Sequence, residues 1–246
     1  MITLDEIILD ARRIVFFGGA GVSTESGIPD FRSAEGLYAG KSKTKYDPAE
    51  IVSHSFFIQH PQEFFDYYRN NLIYPTAKPN PAHFALASLE QAGKLNAVIT
   101  QNIDGLHQLA GSRNVYELHG SVHRNYCVDC GKPYGLEAIT ATTGVPVCDS
   151  CGGIVRPDVV LYEEPLDTAV TQAAVEAIST ADILIVGGTS LVVYPAAGMV
   201  HHFSGEHIVV INKQATGIDF RASLTIREPI GETLQPFVNY QARGDE

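Results

Sequence analysis

The segment that decides the fold is Ile14-Val15-Phe16-Phe17-Gly18-Gly19-Ala20-Gly21-Val22-Ser23. It begins as a continuous apolar run, typical of a parallel strand buried on both faces, and passes directly into glycines, which predict a tight turn followed by a helix. Because glycine has no Cβ atom, backbone N–H groups in such a turn can approach a phosphate closely. The segment lacks the third glycine of G-x-G-x-x-G and a Walker lysine, so a purely structural turn stays open. The candidate phosphate-binding residues are Gly19, Ala20, Gly21 and Ser23.

The rest of the chain alternates between short apolar runs and amphipathic patterns. This alternation implies right-handed crossovers and a parallel sheet covered by helices on both faces. The sequence therefore predicts an α/β fold, a Rossmann-like doubly wound parallel sheet formed by residues 1–32, 82–123 and 158–246. The further predicted strands are 97–100, 115–118, 159–162, 183–186 and 207–211, and the predicted helices are 3–13, 84–92, 169–178 and 196–203.

Two segments interrupt the alternation and predict a small domain. Residues 33–81 are rich in aromatic and charged side chains and are interpreted as a helical insertion lying over the sheet. Residues 124–157 contain all four cysteines and little apolar periodicity, and they are interpreted as a zinc-binding module.

Two Cys-x-x-Cys pairs are the basis of the zinc prediction. Cys127 and Cys130 precede residues 131–147, and Cys148 and Cys151 follow them. This spacing is typical of two knuckles that close one tetrahedral site. Four thiolates would fill the coordination shell, so the predicted Zn²⁺ is structural, and four cysteines without a metal are the alternative.

The composition indicates a globular protein with an acidic surface. Hydrophobic residues make up 45% of the 246 residues, and 17 Lys and Arg against 28 Asp and Glu leave a net charge of -11. Such a chain has no basic face for phosphate backbones, so no direct nucleic-acid partner is expected. No apolar stretch suits a membrane helix and no secretory leader is visible, so a cytoplasmic protein without membrane contact is expected. The oligomeric state is not indicated.

Polar side chains follow several predicted strands at the point where each strand ends. Ligands of open parallel sheets bind outside the carboxyl ends of the strands, so these residues are candidates for one site. A lone histidine is more often structural than catalytic, and only the convergence of strand ends favours a role for His119. The candidates are Gln101, Asn102, Ile103, Asp104, His119, Gly188, Thr189, Ser190 and Asn212.

In their order along the chain, these motifs resemble those of the sirtuins, a family of NAD-dependent protein deacylases. The resemblance extends from about Ile7 to Phe237 and is closest to the small bacterial and archaeal members. Its motifs are 19–23, 27–32, 100–104, 118–120, the two cysteine pairs, 188–190 and 210–212.

The resemblance implies a cleft that takes NAD as co-substrate from one side and an acyl-lysine protein or peptide from the other. His119 would be the general base, Asn102 would act beside it, and Gln101 would contact the ribose. A peptide would add as a strand between 160–163 and 191–194. The implied NAD-binding residues are Gly19, Ala20, Gly21, Ser23, Phe31, Arg32, Gln101, Asn102, Ile103, Asp104, Gly188, Thr189, Ser190 and Asn212, and the implied substrate-binding residues are Val160, Leu161, Tyr162, Glu163 and Val193.

The sequence departs from the family pattern in the peptide-binding segment and in the glycine-rich turn. Glu163 stands where relatives usually have glycine, so a Cβ atom and a carboxylate there could restrict φ or change peptide preference. Gly18 stands where relatives often have threonine.

Acyl preference is indicated by the helical insertion. Members that remove succinyl or malonyl groups have a Tyr-x-x-Arg pair whose guanidinium binds the acyl carboxylate. Phe65 and Tyr68 align there, and Arg69 is one residue away, so a neutral acyl group, acetyl first, is expected. The alternatives to a protein-lysine deacetylase are a protein mono-ADP-ribosyltransferase, a deacylase of another acyl group, and an NAD- or acyl-lysine-binding module without turnover.

Overall fold

The computed structural model describes residues 2–30 and 45–241. Two sheets organise them, one of six strands and one of three. Phe31 and Arg32, two of the predicted NAD-binding residues, lie outside the described residues. In chain order the strands are β1 Ile14–Gly18, β2 Leu95–Thr100, β3 Val115–Glu117, β4 Gly120–Cys127, β5 Pro133–Tyr134, β6 Val155–Val159, β7 Ile183–Gly187, β8 His207–Ile211 and β9 Leu224–Ile226.

The six-stranded sheet is parallel throughout and has the order β3-β2-β1-β7-β8-β9. The chain winds outward from β1 on one side and from β7 on the other, so the order reverses between these two strands. Gly18 at the end of β1 is in register with Thr100 of β2 and Gly187 of β7. The loops that follow these three strands therefore begin side by side, as in doubly wound sheets that bind a ligand where the order reverses. The predicted fold class is confirmed.

Helices pack on both faces of this sheet. Side chains of β1 alternate between the faces: Phe16 packs in one core with helices α1, α5 and α9, and Phe17 packs in the other with α8. Helix α1 begins at a capping box, in which the side chains of Thr3 and Glu6 each accept from the backbone N–H of the other residue. The helices are α1 Leu4–Asp10, α2 Pro48–Ile51, α3 His54–Gln59, α4 Pro61–Asn71, α5 Pro81–Gln91, α6 Leu106–Leu109, α7 Glu137–Thr140, α8 Thr168–Thr180 and α9 Ile230–Leu234.

Two local predictions from the sequence are wrong. The predicted strand at 159–162 is replaced by β6, which ends at Val159 and pairs antiparallel with β4 in the small sheet. The glycine-rich turn leads into two short 3-10 turns, Ala20–Val22 and Thr24–Ser26, and not into an α-helix. Apolar content alone does not distinguish a central strand from a segment that crosses between two sheets.

The described part of the helical insertion, residues 45–81, packs on the small sheet. The position over the parallel sheet that the sequence suggested is wrong for this part. Phe57 and Phe64 of the insertion share a third core with Val155 and with Cys127 and Cys148. Strands β4 and β6 run across the predicted boundaries at 123/124 and 157/158. The division into a large domain and a small domain of 33–81 and 124–157 stays a prediction.

Within the described residues, no helix is long and apolar enough to cross a membrane.

Candidate active site and zinc centre

The glycine-rich turn packs directly on the loop that follows β7. The N–H of Gly21 donates to the carbonyl of Gly188 at 2.8 Å, and a Cβ atom on Gly21 would lie 2.8 Å from the Cα of Gly188. Gly188 itself has a φ of 57°, a left-handed conformation that favours glycine. The two loops therefore meet backbone to backbone, and only residues without a side chain fit this contact.

Polar side chains from three strand ends form two hydrogen-bonded groups beside this turn. Ser23 is buried, and its hydroxyl donates to Oδ2 of Asp104 at 2.7 Å and accepts from Nδ2 of Asn102 at 3.1 Å. Gln101 donates from Nε2 to the hydroxyl of Thr189 at 3.1 Å, which links the β2 and β7 loops. Five predicted residues are thus brought together around the carboxyl ends of β1, β2 and β7.

Burial acts on the two titratable groups at this edge. It raises the pKa of Asp104, while the Ser23 hydroxyl and the N–H of Leu106 oppose that shift by donating to the carboxylate. Burial also lowers the pKa of His119, opposed by a hydrogen bond to the Gln101 carbonyl. A neutral imidazole is therefore favoured near pH 7.

The hydrogen bond of His119 identifies its tautomer. Nδ1 lies 2.9 Å from the carbonyl oxygen of Gln101. A carbonyl oxygen only accepts, so Nδ1 carries the proton and Nε2 of the neutral ring has a free lone pair. This arrangement suits a general base whose orientation is held by the backbone of the adjacent strand end.

The two predicted peptide-binding segments start from this site. The N–H of Val160 donates to the carbonyl of His119 at 3.0 Å, and the N–H of Leu191 donates to the hydroxyl of Thr189 at 3.2 Å. Exposed apolar surface follows on both segments, at Tyr162, Val192 and Tyr194. Leu161 is buried and Val193 is half-buried. One segment therefore begins beside His119 and the other beside the β7 loop.

The remaining predicted residues have different surroundings. Ile103 packs against the third core, and its carbonyl accepts from the N–H of Val122 at 3.0 Å. Ser190 is exposed at the β7 loop. Asn212 follows β8, where its Nδ2 donates to the Gln214 carbonyl at 2.8 Å.

Arg69, one residue from the acyl-recognition position considered in the sequence, has its guanidinium bound by backbone and hydroxyl oxygens of the predicted small domain. Its Nε donates to the carbonyl of Ile139 at 2.8 Å, and its Nη2 donates to the hydroxyl of Thr142 at 2.9 Å and to the carbonyl of Gly144. These bonds hold the guanidinium against the loop after α7.

An ion-pair cluster next to the peptide-binding segment was not found by sequence reasoning. Arg156 donates to both carboxylate oxygens of Glu164, at 2.8 and 3.0 Å, and His54 Nδ1 lies 2.8 Å from the same carboxylate. The adjacent acidic pair at 163–164 was a signal, but His54 is 110 residues away from Glu164 in sequence and only the tertiary structure brings it close.

The four cysteines fit a tetrahedral Zn²⁺ site. Sγ of Cys127 lies 3.4 Å from Sγ of Cys151, Sγ of Cys130 lies 3.7 Å from Sγ of Cys148, and all four atoms lie within 4.8 Å of one another. Zn–S bonds of about 2.3 Å in a tetrahedron place sulfurs about 3.8 Å apart. The site binds a structural zinc, and its four thiolates leave no coordination position for water.

The fold and the site are those of an NAD-binding α/β protein with a structural zinc module. A model of the Sir2 family matches residues 19–195, and the chain belongs to this family, the sirtuins. The NAD-dependent protein deacetylase of Clostridium perfringens is 61% identical over 232 residues, covering 94% of this chain and 95% of the relative. That of Clostridium acetobutylicum is 58% identical over 236 residues, covering 96% of both chains. A Sir2 structure with p53 peptide and NAD+ superposes with a TM-score of 0.83 at 39% identity, covering 96% of this chain and 97% of that one.

Proposed function

We propose that this protein is an NAD-dependent protein-lysine deacetylase that consumes NAD and water, transfers the acyl group of a lysine side chain to ADP-ribose, and releases nicotinamide and the free lysine amine. The observation that carries the proposal is the position of His119. Its carbonyl accepts from the N–H of Val160, where the peptide-binding segment begins. Its ring is held by the carbonyl of Gln101, the residue before Asn102 of the Ser23–Asn102–Asp104 group. A general base, a polar pocket and a backbone segment that can pair with a peptide therefore lie together at the carboxyl ends of the strands. The family membership and the relatives' activity agree with it.

NAD, when bound, supplies the ADP-ribosyl group that accepts the acyl group as its bond to nicotinamide breaks. Asn102, Ile103 and Asp104 hold the nicotinamide end, and Ser23 fixes the orientation of Asn102 and Asp104 through its two hydrogen bonds. A rigid pocket of this kind orients the reacting bond before the peptide's acyl oxygen arrives. Asn102 is the second catalytic residue of the proposal.

The phosphates and riboses are assigned to the loops around the reversal of strand order. Gly19, Ala20 and Gly21 offer backbone N–H groups for phosphate, and Gln101 lies at the adjacent ribose. Gly188, Thr189, Ser190 and Asn212 complete the assignment within the described residues, and Phe31 and Arg32 remain assigned from the sequence.

His119 acts as the general base. Its Nε2 accepts a proton from a ribose hydroxyl, because Nδ1 is occupied by the Gln101 carbonyl. The lowered pKa of His119 keeps this nitrogen available at neutral pH. Zn²⁺ takes no part in the proton transfer, since its four thiolates close the coordination shell.

The peptide adds as a strand between 160–163 and 191–194, using Val160, Leu161, Tyr162, Glu163 and Val193. Backbone pairing of this kind tolerates many sequences. Arg69 is held by Ile139, Thr142 and Gly144, which supports neutral acyl groups, with acetyl preferred. We assign the protein to the cytoplasm, where the thiolates that bind zinc stay reduced.

The test uses an acetyl-lysine peptide and a succinyl-lysine peptide with the same sequence. Each is incubated with the purified protein, with and without NAD, and the products are measured by mass spectrometry. Loss of acetyl with formation of acyl-ADP-ribose, dependent on NAD, is expected. His119→Ala should abolish it, and His201→Ala, a change at an exposed histidine outside the assigned site residues, should leave it intact.

Three other results would contradict the proposal in distinguishable ways. Transfer of ADP-ribose to protein without deacylation would indicate a mono-ADP-ribosyltransferase. Faster loss of succinyl would overturn the acyl preference alone. Binding of NAD and peptide without any turnover would indicate a binding module.

A further inference from the structure

Glu163 adopts a backbone conformation that its side chain disfavours. Its φ is 75°, in the left-handed region where a Cβ atom is strained and glycine is not. A non-glycine residue keeps such a conformation when surrounding contacts stabilise it. The Glu163 side chain is therefore expected to make contacts that stabilise this backbone conformation.

The carboxylate of Glu163 binds the first turn of α3. Oε2 accepts from the N–H of Ser55 at 2.9 Å, and Oε1 accepts from the hydroxyl of Ser55 at 2.9 Å. Ser55 is the second residue of α3, so its N–H has no carbonyl partner within the helix. Glu163 thus supplies a missing acceptor across a sequence separation of 108 residues.

Neighbouring contacts attach the same segment to the same place. The backbone of Tyr162 exchanges two hydrogen bonds with Val52 and His54, each 3.0 Å long. Glu164 binds Arg156, His54 and the N–H of Leu161. One side of segment 161–164 is therefore fastened to the start of α3.

We infer that Glu163 is a positioning residue, whose hydrogen bonds to Ser55 hold the peptide-binding segment in the conformation that receives the substrate strand. The inference rests on the proposed function, because it assigns this segment to peptide binding. A strand that is already ordered loses less conformational entropy when the peptide pairs with it. The NAD-binding loops lie on other elements, so the effect is confined to the peptide.

The arrangement favours this positioning role over direct binding of the charge to the substrate. Both carboxylate oxygens of Glu163 accept from Ser55, which directs the side chain toward α3. Peptide affinity should therefore depend on the Ser55–Glu163 link and not on substrate charge.

The experiment measures deacetylation with Ser55→Ala, Glu163→Gly, Glu163→Gln and the Ser55→Ala/Glu163→Gly double variant. We expect Ser55→Ala and Glu163→Gly to raise the peptide KM about threefold to tenfold, the size of one ordinary net hydrogen bond at an exposed position. The KM for NAD and kcat should stay unchanged. The double variant should match Glu163→Gly, because Ser55→Ala removes the hydroxyl donor, one of the two hydrogen bonds that Glu163→Gly removes, and leaves the backbone N–H of residue 55. Glu163→Gln, which keeps an acceptor oxygen, should restore part of the affinity.

The matched control is Ser179→Ala, an exposed serine on α8 whose hydroxyl donates to the carbonyl of Glu176 in the same helix. Circular dichroism checks that every variant is folded, and calorimetric titration of the acetyl-lysine peptide gives affinity without turnover. Unchanged affinity in Ser55→Ala and Glu163→Gly overturns the inference. An effect that disappears with a peptide lacking Lys and Arg beside the acetyl-lysine would instead assign Glu163 to substrate charge. Absence of turnover in the wild type would contradict the proposed function alone, because the affinity comparison still stands.

Discussion

At the scale of single residues, Ser23 shows how a small side chain organises the site. Its hydroxyl donates to Asp104 and accepts from Asn102, so one oxygen orients two side chains that follow another strand. The carboxylate of Asp104 is mostly buried, and loss of one donor there leaves a charged group under-solvated.

Ser23→Ala is expected to lower kcat/KM for NAD about tenfold to a hundredfold, through an effect of about 1.5–3 kcal/mol on the transition state. Steady-state kinetics at fixed peptide concentration measures it. Thr24→Ala is the matched control, because its exposed hydroxyl binds only the nearby Gly21 carbonyl. Equal kinetics for the two variants would remove Ser23 from the site.

Two buried histidines form another feature visible only at the residue scale. His83 and His107 have ring centroids 4.7 Å apart, and neither nitrogen of His107 has a hydrogen-bond partner among the described residues. Burial lowers the pKa of His83 to about 4, and burial followed by the nearby His83 lowers that of His107 well below its usual value of 6.5. Both rings are therefore neutral in the folded protein.

This pair makes stability depend on pH. Below about pH 6.5 the histidines bind protons in the unfolded chain but not in the folded one. The free energy of unfolding therefore decreases as the pH is lowered, by about 1.4 kcal/mol per pH unit and per histidine. His107→Leu should reduce the loss between pH 7 and pH 5 by about 2 kcal/mol. Urea unfolding at both pH values tests this, with His201→Leu at an exposed position as the control. An unchanged pH dependence in His107→Leu would refute the prediction.

At the scale of elements, the start of α5 links a helix to the glycine-rich turn. The Asn80 side chain caps α5 by accepting from the N–H of Ala82 at 2.9 Å. Its Nδ2 also donates to the carbonyl of Val22 at 2.8 Å and to the hydroxyl of Ser26 at 3.0 Å. One buried amide therefore fixes both the helix and the proposed phosphate-binding turn.

Asn80→Ala is expected to destabilise the protein by about 2–3 kcal/mol, because a cap is lost and the buried Val22 carbonyl loses its donor. It should also raise the KM for NAD. Asp167→Ala removes the exposed cap of α8, which accepts from the N–H of Val170, and should cost about 1 kcal/mol with no change in that KM. Urea unfolding and steady-state kinetics compare the two caps, and a similar NAD effect in both would argue against the link to the turn.

At the scale of the whole molecule, three cores divide the described residues. Two lie on the faces of the parallel sheet, and the third joins the helical insertion to the small sheet and includes Cys127 and Cys148. Zinc binding and folding are coupled where thiolate ligands belong to a core. Loss of the metal should therefore destabilise mainly the third core.

Zinc removal by a chelator is expected to increase amide hydrogen exchange in β4, β5 and β6 and in α4, while β1, β2 and β7 stay protected. Cys148→Ser should reproduce the effect and lower the zinc content, measured by mass spectrometry of the metal. Peptide deacetylation should fall because segment 160–164 follows β6. Uniform exchange across the whole chain after chelation would show that the cores do not open separately.

Much of the large-scale organisation could be predicted from local sequence. The apolar run before Gly18, the alternation that follows and the cysteine spacing correctly indicated the parallel sheet and the zinc site, because burial and metal coordination constrain residue types over a few positions. The family resemblance is confirmed too. The site assignments stay predictions, as does the domain division.

The tertiary structure decided what depends on contacts between distant segments. Segment 159–162 is apolar like a central strand, yet only Val159 lies in a strand, and that strand pairs in the small sheet, since pairing partners and not hydropathy determine the sheet. From the sequence, Glu163 was notable only because relatives usually have glycine at this position. Its hydrogen bond to Ser55 exists because the fold brings α3 beside it. Local periodicity determined which elements form. Long-range packing determined the partners of each side chain, because those partners are set by three-dimensional proximity and leave no periodic trace along the chain.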